Sequence, residues 1–220
     1  MCWMHCASVE PRTGLPPSAR AASTTRAPAT FRSKACRRPG PGENGAKRRG
    51  YTAGMPSTIT VRLWQPDTTP SAETLAQLWL RSVRATHDFL DEATVLALYP
   101  EVRDHYLPAV TLWLAEEASG LCLGFMGLQV HAQGADVAML FIEPAARGQG
   151  LGRRLLDQAR ADHGALTVDV NEQNPQAWEF YRHYGFEQTG RSPLDGQGRP
   201  FPLIHMALRG DPSCAGLGLP

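Results

Sequence analysis

Apolar positions alternate over residues 59–63, where Ile59, Val61 and Leu63 share one face, as in a half-buried strand. After the turn-rich stretch from Gln65 to Pro70 the rhythm changes. Ala72, Leu75, Ala76, Trp79, Leu80 and Val83 recur at helical spacing, with Ser71 placed to cap the first turn. Asp91 caps a second predicted helix, which runs to about Leu98 and stops near Pro100, and a short helical piece follows to Tyr106. Residues 110–115, 121–130 and 136–142 then form three β-rich runs separated by Ala-Ser-Gly and Ala-Gln-Gly turns, an antiparallel meander. Gly124 and Gly127 inside the second run predict a bulge or a close backbone approach. Pro144 ends the third run, and a glycine-rich turn opens a helix that buries Leu151, Leu155, Leu156 and Ala159 and stops at Gly164. Residues 166–170 form a buried strand. Asn174-Pro175 starts a helix lined by Ala177, Phe180, Tyr181 and Tyr184 and ended by Gly185. Residues 186–189 and 203–208 are the last strands. This order predicts one α+β domain, or a three-layer α/β one.

The 220 residues exceed what such a domain needs, and the surplus is at the front. Residues 1–54 carry ten basic side chains against Glu10 and Glu43, whereas residues 55–220 carry twelve arginines, no lysine and nineteen acids. The first segment is rich in Pro, Gly, Ser, Ala, Thr and Arg without apolar rhythm, so it is expected to be disordered. Three readings of it stay open: a tail upstream of a true start at Met55, a targeting peptide, or a nucleic-acid arm. Against the last, its arginines lack aromatic interleaving, so nucleic acid is not an expected partner. The domain is assigned to residues 55–220. No run of about 18 apolar residues exists, which excludes a membrane-spanning helix, and the expected compartment is the cytoplasm. Cysteines at 2, 6, 36, 122 and 214 give neither a CxxC nor a zinc spacing, so no metal is expected.

The candidate chemistry lies in the turn at Arg147-Gly148-Gln149-Gly150-Leu151-Gly152. A P-loop needs a lysine, which this domain lacks. A dinucleotide fingerprint needs a third glycine where Arg153 stands, although Asp169 follows at a suitable distance. An RxxGxG turn opening a helix after a strand fits. The first turn of a helix leaves backbone N–H groups without partners, its dipole favours an anion, and glycines admit a pyrophosphate without a Cβ in the way. Arg147, Arg153 and Arg154 crowd the same end, where cations oppose the dipole unless an anion is bound.

The run LFIEPAARGQGLGRRLL from Leu140 to Leu156 resembles the acetyl-CoA motif of the GNAT superfamily of N-acetyltransferases. NEQNPQAWEFY from Asn171 to Tyr181 and Tyr184-Gly185-Phe186 are similar to the strand and helix that follow it there. With SVRATHDFL from Ser82 to Leu90, the chain resembles in particular small single-domain bacterial members of the YjaB type, some of which acetylate peptidyl lysines. The resemblance spans residues 58–208. It implies the GNAT fold: a mixed, mostly antiparallel sheet with a splayed parallel strand pair, flanked by helices.

It also implies roles. Leu140, Phe141 and Ile142 would pair with the pantetheine arm of acetyl-CoA. The backbone of Arg147, Gly148, Gln149, Gly150, Leu151 and Gly152 would hold the pyrophosphate, Arg153 would add charge, and Asn174 would cap its helix, bond the cofactor, or both. Tyr181 would protonate the CoA thiolate as general acid, or be a core tyrosine. The backbone N–H of Ile142 would stabilise the oxyanion. His87, Asp88, Glu116 and Glu143 are candidate bases, with a water chain as a further route. His87, Asp88 and Phe89 would wall the acceptor pocket. Tyr184, Trp178 and Cys122 read as packing. The implied partners are acetyl-CoA and an amine acceptor, a protein lysine or a small molecule, with a monomer or homodimer expected. A non-catalytic acyl-CoA sensor with the same fold is the alternative.

Overall fold

The computed structural model describes residues 58–208, so the basic segment and the proposed domain's two ends lie outside the described residues. Strand β1 (Ile59–Leu63) leads to helix α1 (Ala72–Arg84), capped by Ser71, whose Oγ accepts from Thr74 N–H at 3.3 Å. Helix α2 (Glu92–Glu101) is capped in the same way by Asp91, at 2.6 Å from Thr94 N.

Here the structure departs from the sequence expectation. The helix does not stop near Pro100 but passes through it into a π-helical turn (Val102–Tyr106) and the short α3 (Leu107–Ala109). Proline has no N–H to return to the previous turn, and its ring crowds the carbonyl four residues back. The wider turn that follows, with Leu107 N–H donating to Val102 O, keeps Val102, Tyr106 and Leu107 pointing into the core.

Strands β2 (Thr111–Glu117), β3 (Cys122–His131) and β4 (Gly134–Ile142) form the expected meander. The register slips at Gly127/Leu128, and a Cβ on Gly124 would overlap Ile142 Cδ1, so both glycines do what their positions implied. A 3₁₀ turn (Pro144–Ala146) precedes helix α4 (Leu151–His163). Then come β5 (Leu166–Asn171), α5 (Pro175–Tyr184), β6 (Glu187–Ser192) and β7 (Leu203–Leu208).

The seven strands make one sheet in the order β1-β2-β3-β4-β5-β7-β6, antiparallel except at β4–β5. Two cores cover its two faces. Leu155, Leu156 and Ala159 of α4 and Ala177 and Tyr181 of α5 pack with Leu140, Val168 and Val170 on one. Leu75, Trp79 and Val83 of α1 and Leu98 of α2 pack with Phe125, Met139 and Phe141 on the other. This is a three-layer arrangement of the GNAT type.

One irregularity positions the site. β4 and β5 pair only at Ala135–Leu166 and Asp136–Thr167. Beyond that point the strands diverge, leaving a V-shaped slot between the ends of β4 and β5.

Candidate active site

The mouth of the slot is the glycine-rich turn. Gly148 and Gly150 have φ of +78° and +77°, a left-handed backbone that glycine adopts without strain, and a Cβ on either would meet nothing within 4 Å. Gly150 is the N-cap of α4 and offers no side chain to bond the first turn, whose N–H groups are left to another acceptor. Gly152 has a different role: a Cβ there would stand 2.9 Å from Phe180 Cζ, so the residue lets α4 and α5 approach. A cavity of about 400 Å³ opens at this point, lined by Leu140, Ile142, Gly148, Gly150, Asn174 and Phe180 among others.

Arg147 departs from its expected use. Its guanidinium turns to α1 and donates to Ser82 O and Ser82 Oγ, both at 3.1 Å, while Ser82 Oγ–H donates to Ile142 O at 3.1 Å. Burial lowers its pKa. Arg147 therefore ties the turn to α1, while the exposed Arg153 sits beside the turn near Asp157 and over the Tyr184 ring.

Glu143 N–H donates to Leu123 O at 2.8 Å, on the β3 side. By the alternation of an antiparallel ladder, the N–H groups of Ile142 and Leu140 face the opposite side, into the slot. Phe141 pairs with Phe125 of β3 and its ring lies in the α1-side core.

Asn174 both caps α5 and retains a donor. Its Oδ1 accepts from Ala177 N–H at 3.1 Å, while its Nδ2 is buried in the cavity wall with no hydrogen-bond partner among the described residues. A buried donor without a partner is costly, and an acceptor in the cavity would satisfy it. Ala177 lines the cavity, and Tyr181, four residues on along the same helix face, is fully buried between the rings of Phe180 and Phe186 (centroids 5.1 and 5.2 Å). Tyr184 packs as expected, with its hydroxyl donating to Asp157 Oδ1 at 2.8 Å and its pKa raised chiefly by burial.

The four candidate bases are dispersed. His87 is buried at the end of α1, its Nδ1 3.0 Å from Thr86 Oγ1, and burial drives its pKa far below the usual imidazole value. Such an imidazole is a weak proton acceptor. Glu116 is held by Arg62 Nε and its terminal nitrogen, both at 2.8 Å, and Glu143 by the Arg81 fork at 2.8–3.1 Å. Asp88 is exposed, and Phe89 is half-buried against the rings of His87 and Phe201. Burial raises the Cys122 thiol to about 11, which leaves it no thiolate for nucleophilic work.

One polar cluster has no local signature in the sequence. On the sheet face opposite Tyr181, His205 Nδ1 lies 2.6 Å from Asp169 Oδ1, and its Nε2 lies 2.7 Å from Ser192 Oγ. Asp169 is thereby engaged by a histidine and is not disposed as the ribose ligand of a dinucleotide fold. The sequence signal is limited to a titratable residue within each of two strands, Asp169 in β5 and His205 in β7. Among the described residues no group of His, Cys, Asp or Glu side chains converges to hold a metal ion, and no helix is long and apolar enough to cross a membrane.

Comparison with known proteins agrees with this geometry. Residues 108–188 match the model of the acetyltransferase (GNAT) domain. The chain is 44% identical over 134 residues to the peptidyl-lysine N-acetyltransferase YjaB of Salmonella typhimurium, covering 61% of this chain and 89% of that protein. The solution structure of apo-form YjaB from Escherichia coli superimposes with a TM-score of 0.60 at 40% identity, over 70% of this chain and 99% of that one. The PaiA N-acetyltransferase of Thermoplasma acidophilum, solved with coenzyme A, shares the fold at 19% identity and a TM-score of 0.57, over 70% of this chain and 99% of that one. A splayed β4–β5 pair, a glycine turn capping α4 and an extensive match to YjaB lead to one conclusion: the chain belongs to the GNAT family of acetyltransferases.

Proposed function

We propose that the protein transfers the acetyl group of acetyl-CoA directly to a primary amine, with a lysine side chain of a peptide or protein as the favoured acceptor. The observation that carries this reading is the cradle: two left-handed glycines and an uncapped helix N-terminus beside a slot edged by free-facing strand N–H groups. The fit to acetyl-CoA rests on the same features and on the buried, unpartnered Nδ2 of Asn174. The choice of lysine rests on the extent of the match to YjaB, whose name specifies that acceptor. The net negative charge of residues 55–220 favours a cationic acceptor too.

In this reading the N–H groups of Gly148, Gln149, Gly150, Leu151 and Gly152 bind the pyrophosphate. Leu140, Phe141 and Ile142 supply the strand edge along which the pantetheine arm lies, as an added strand would. Asn174 Nδ2 donates to the arm, and Arg153 adds charge at the rim. The amine nitrogen attacks the thioester carbonyl, and Ile142 N–H stabilises the oxyanion that forms. The C–S bond then breaks, and the Tyr181 hydroxyl gives its proton to the departing thiolate. The raised Cys122 thiol favours direct transfer over a route through an acetyl-cysteine. Residues 55–220 form the catalytic domain, working in the cytoplasm.

The test follows free CoA thiol release and peptide acetylation together, for wild type and Tyr181→Phe. The expected result is one acetyl-lysine per thiol released, with Tyr181→Phe lowering kcat about 100-fold or more while acetyl-CoA binding stays unchanged. Tight CoA binding without turnover on a broad panel of amines and peptides would make the protein a sensor instead.

A further inference from the structure

Ile142 lies on β4 beyond the part that β5 pairs, which ends at Asp136–Thr167. Glu143 N–H points to β3, and a trans peptide aims the Ile142 carbonyl the opposite way, toward the slot. In an extended strand the N–H of Ile142 leaves by the same edge. These two groups carry opposite signs. The N–H would stabilise an oxyanion, and the carbonyl beside it would repel one. Ser82 of α1 stands in for the missing strand at the carbonyl alone. It is fully buried, and its Oγ–H donates to Ile142 O at 3.1 Å.

We propose that Ser82 and Arg147 are positioning residues for the oxyanion donor, with Arg147 acting through Ser82 on the Ile142 peptide. The inference rests on the acetyl-transfer reading above, in which the thioester oxygen lies at Ile142 N–H. Arg147 Nη2 donates to Ser82 O and to Ser82 Oγ, both at 3.1 Å. The oxygen of the hydroxyl thus faces a cation while its proton faces Ile142 O. A donor polarised in this way makes a stronger hydrogen bond. Ser82 O belongs to the last turn of α1 and also accepts from Thr86 Oγ1 at 2.8 Å. Arg147 therefore sits at the negative end of the helix dipole, a seat that holds the guanidinium away from the phosphates. As the amine attacks, negative charge grows on the thioester oxygen. Ile142 N–H meets it, the Ser82 proton offsets the adjoining carbonyl, and the Arg147 charge raises the local potential. All three are in place before the reaction, so none has to reorient during it.

The cavity joins these parts. Thr86, Ile142 and Arg147 all line it, and Arg147 immediately precedes Gly148, the first glycine of the cradle. The turn that grips the pyrophosphate is tied through two side chains to the peptide that receives the oxyanion. The docking of α1 does not depend on Ser82 alone. Arg81 binds Glu143 at the surface, and Leu75, Trp79 and Val83 pack in the core beneath. Ser82→Ala thus removes the hydroxyl without releasing the helix.

The experiment compares wild type with Ser82→Ala, Arg147→Met and Arg147→Lys. It reads coenzyme A affinity by calorimetry, kcat and KM with a lysine peptide, and the infrared carbonyl band of bound acetyl-CoA carrying carbon-13 at the thioester carbon. Ser82→Ala and Arg147→Met are expected to lower kcat about 10- to 100-fold, less than outright loss of an oxyanion donor, with coenzyme A affinity within about threefold of wild type. In both, the carbonyl band moves back toward that of free acetyl-CoA, because the oxygen is less polarised. Arg147→Lys recovers most of kcat, since both bonds come from one nitrogen, which an ammonium can replace. Should Ser82→Ala not fold, the two Arg147 variants decide alone. Coenzyme A affinity lowered about tenfold or more in Arg147→Met would make Arg147 a phosphate ligand and overturn the inference. A wild-type kcat and carbonyl band in the variants, as a purely structural tie predicts, would overturn it too. Wild type that binds acetyl-CoA but acetylates no amine would overturn the acetyl-transfer reading, and the carbonyl band would still test the polarisation at Ile142.

Discussion

Helix α4 carries a left-handed glycine at each end, which allows a clean perturbation of the cradle. Gly150 before it has φ +77° and Gly164 after it φ +71°, and a Cβ on either would meet nothing within 4 Å. Gly150→Ala places a side chain in the left-handed helical region (ψ 10°) at a cost of about 1–2 kcal/mol, and Gly164→Ala, at ψ −89°, costs at least as much; neither clashes in the free protein. In a domain of this size the Gly150→Ala cost corresponds to a fall in Tm of roughly 2–8 °C. Only Gly150 lines the cavity. Its new methyl would stand where the pyrophosphate is held and displace at least one charged hydrogen bond, about 1.5–3 kcal/mol, or about 10- to 150-fold in Kd. Isothermal titration with coenzyme A, alongside thermal unfolding, reads both effects. A Tm loss in both variants, at least as large in Gly164→Ala, with weakened binding for Gly150→Ala alone, is expected. Unchanged affinity in Gly150→Ala, or an equal loss in Gly164→Ala, would remove the phosphate role from this turn.

Further outcomes follow from individual side chains. Asn174→Asp keeps the cap on Ala177 N–H but loses the Nδ2 donor, so Tm should hold while coenzyme A affinity falls about tenfold; Asn174→Ala should also lose about 1 kcal/mol of stability. Ser82→Ala removes the hydroxyl shared by Ile142 O and Arg147, with an expected loss of about 1–3 kcal/mol in denaturant unfolding. Burial depresses the His87 pKa in the folded state, so the unfolded chain binds the extra proton. Its contribution is whole above about pH 6.5 and declines as pH falls toward the folded value, by up to about 1.4 kcal/mol per pH unit. Unfolding between pH 7 and 5 should therefore show a shallower acid loss in His87→Gln than in wild type.

The elements were legible where local chemistry decides them. Ser71, Asp91 and Asn174 announce their helices, Gly164 and Gly185 end theirs, and the β-rich runs of β3 and β4, split by short turns, mark the meander. The glycine turn was legible too, since positive φ and an exposed helix start leave a direct trace in residue choice. Pro100 misled because tertiary burial of Val102 and Tyr106 outweighs a local helix breaker once a π turn absorbs the strain. The base candidates were read from residue type alone, and burial or ion pairing then engaged His87, Glu116 and Glu143 elsewhere. Asp169, His205 and Ser192 were invisible as a group because β7 inserts between β5 and β6, a pairing that no local pattern encodes. Arg147 was read as an anion ligand because its position gives charge but not direction.

A structure of the protein with acetyl-CoA tests the assignment of the slot most directly. The pyrophosphate is expected within hydrogen-bonding distance of the Gly148–Gly152 N–H groups, with the thioester carbonyl at Ile142 N–H and its sulfur toward Tyr181. Acetyl-CoA bound away from the β4–β5 divergence, or with its phosphates clear of the α4 N-terminus, would contradict it.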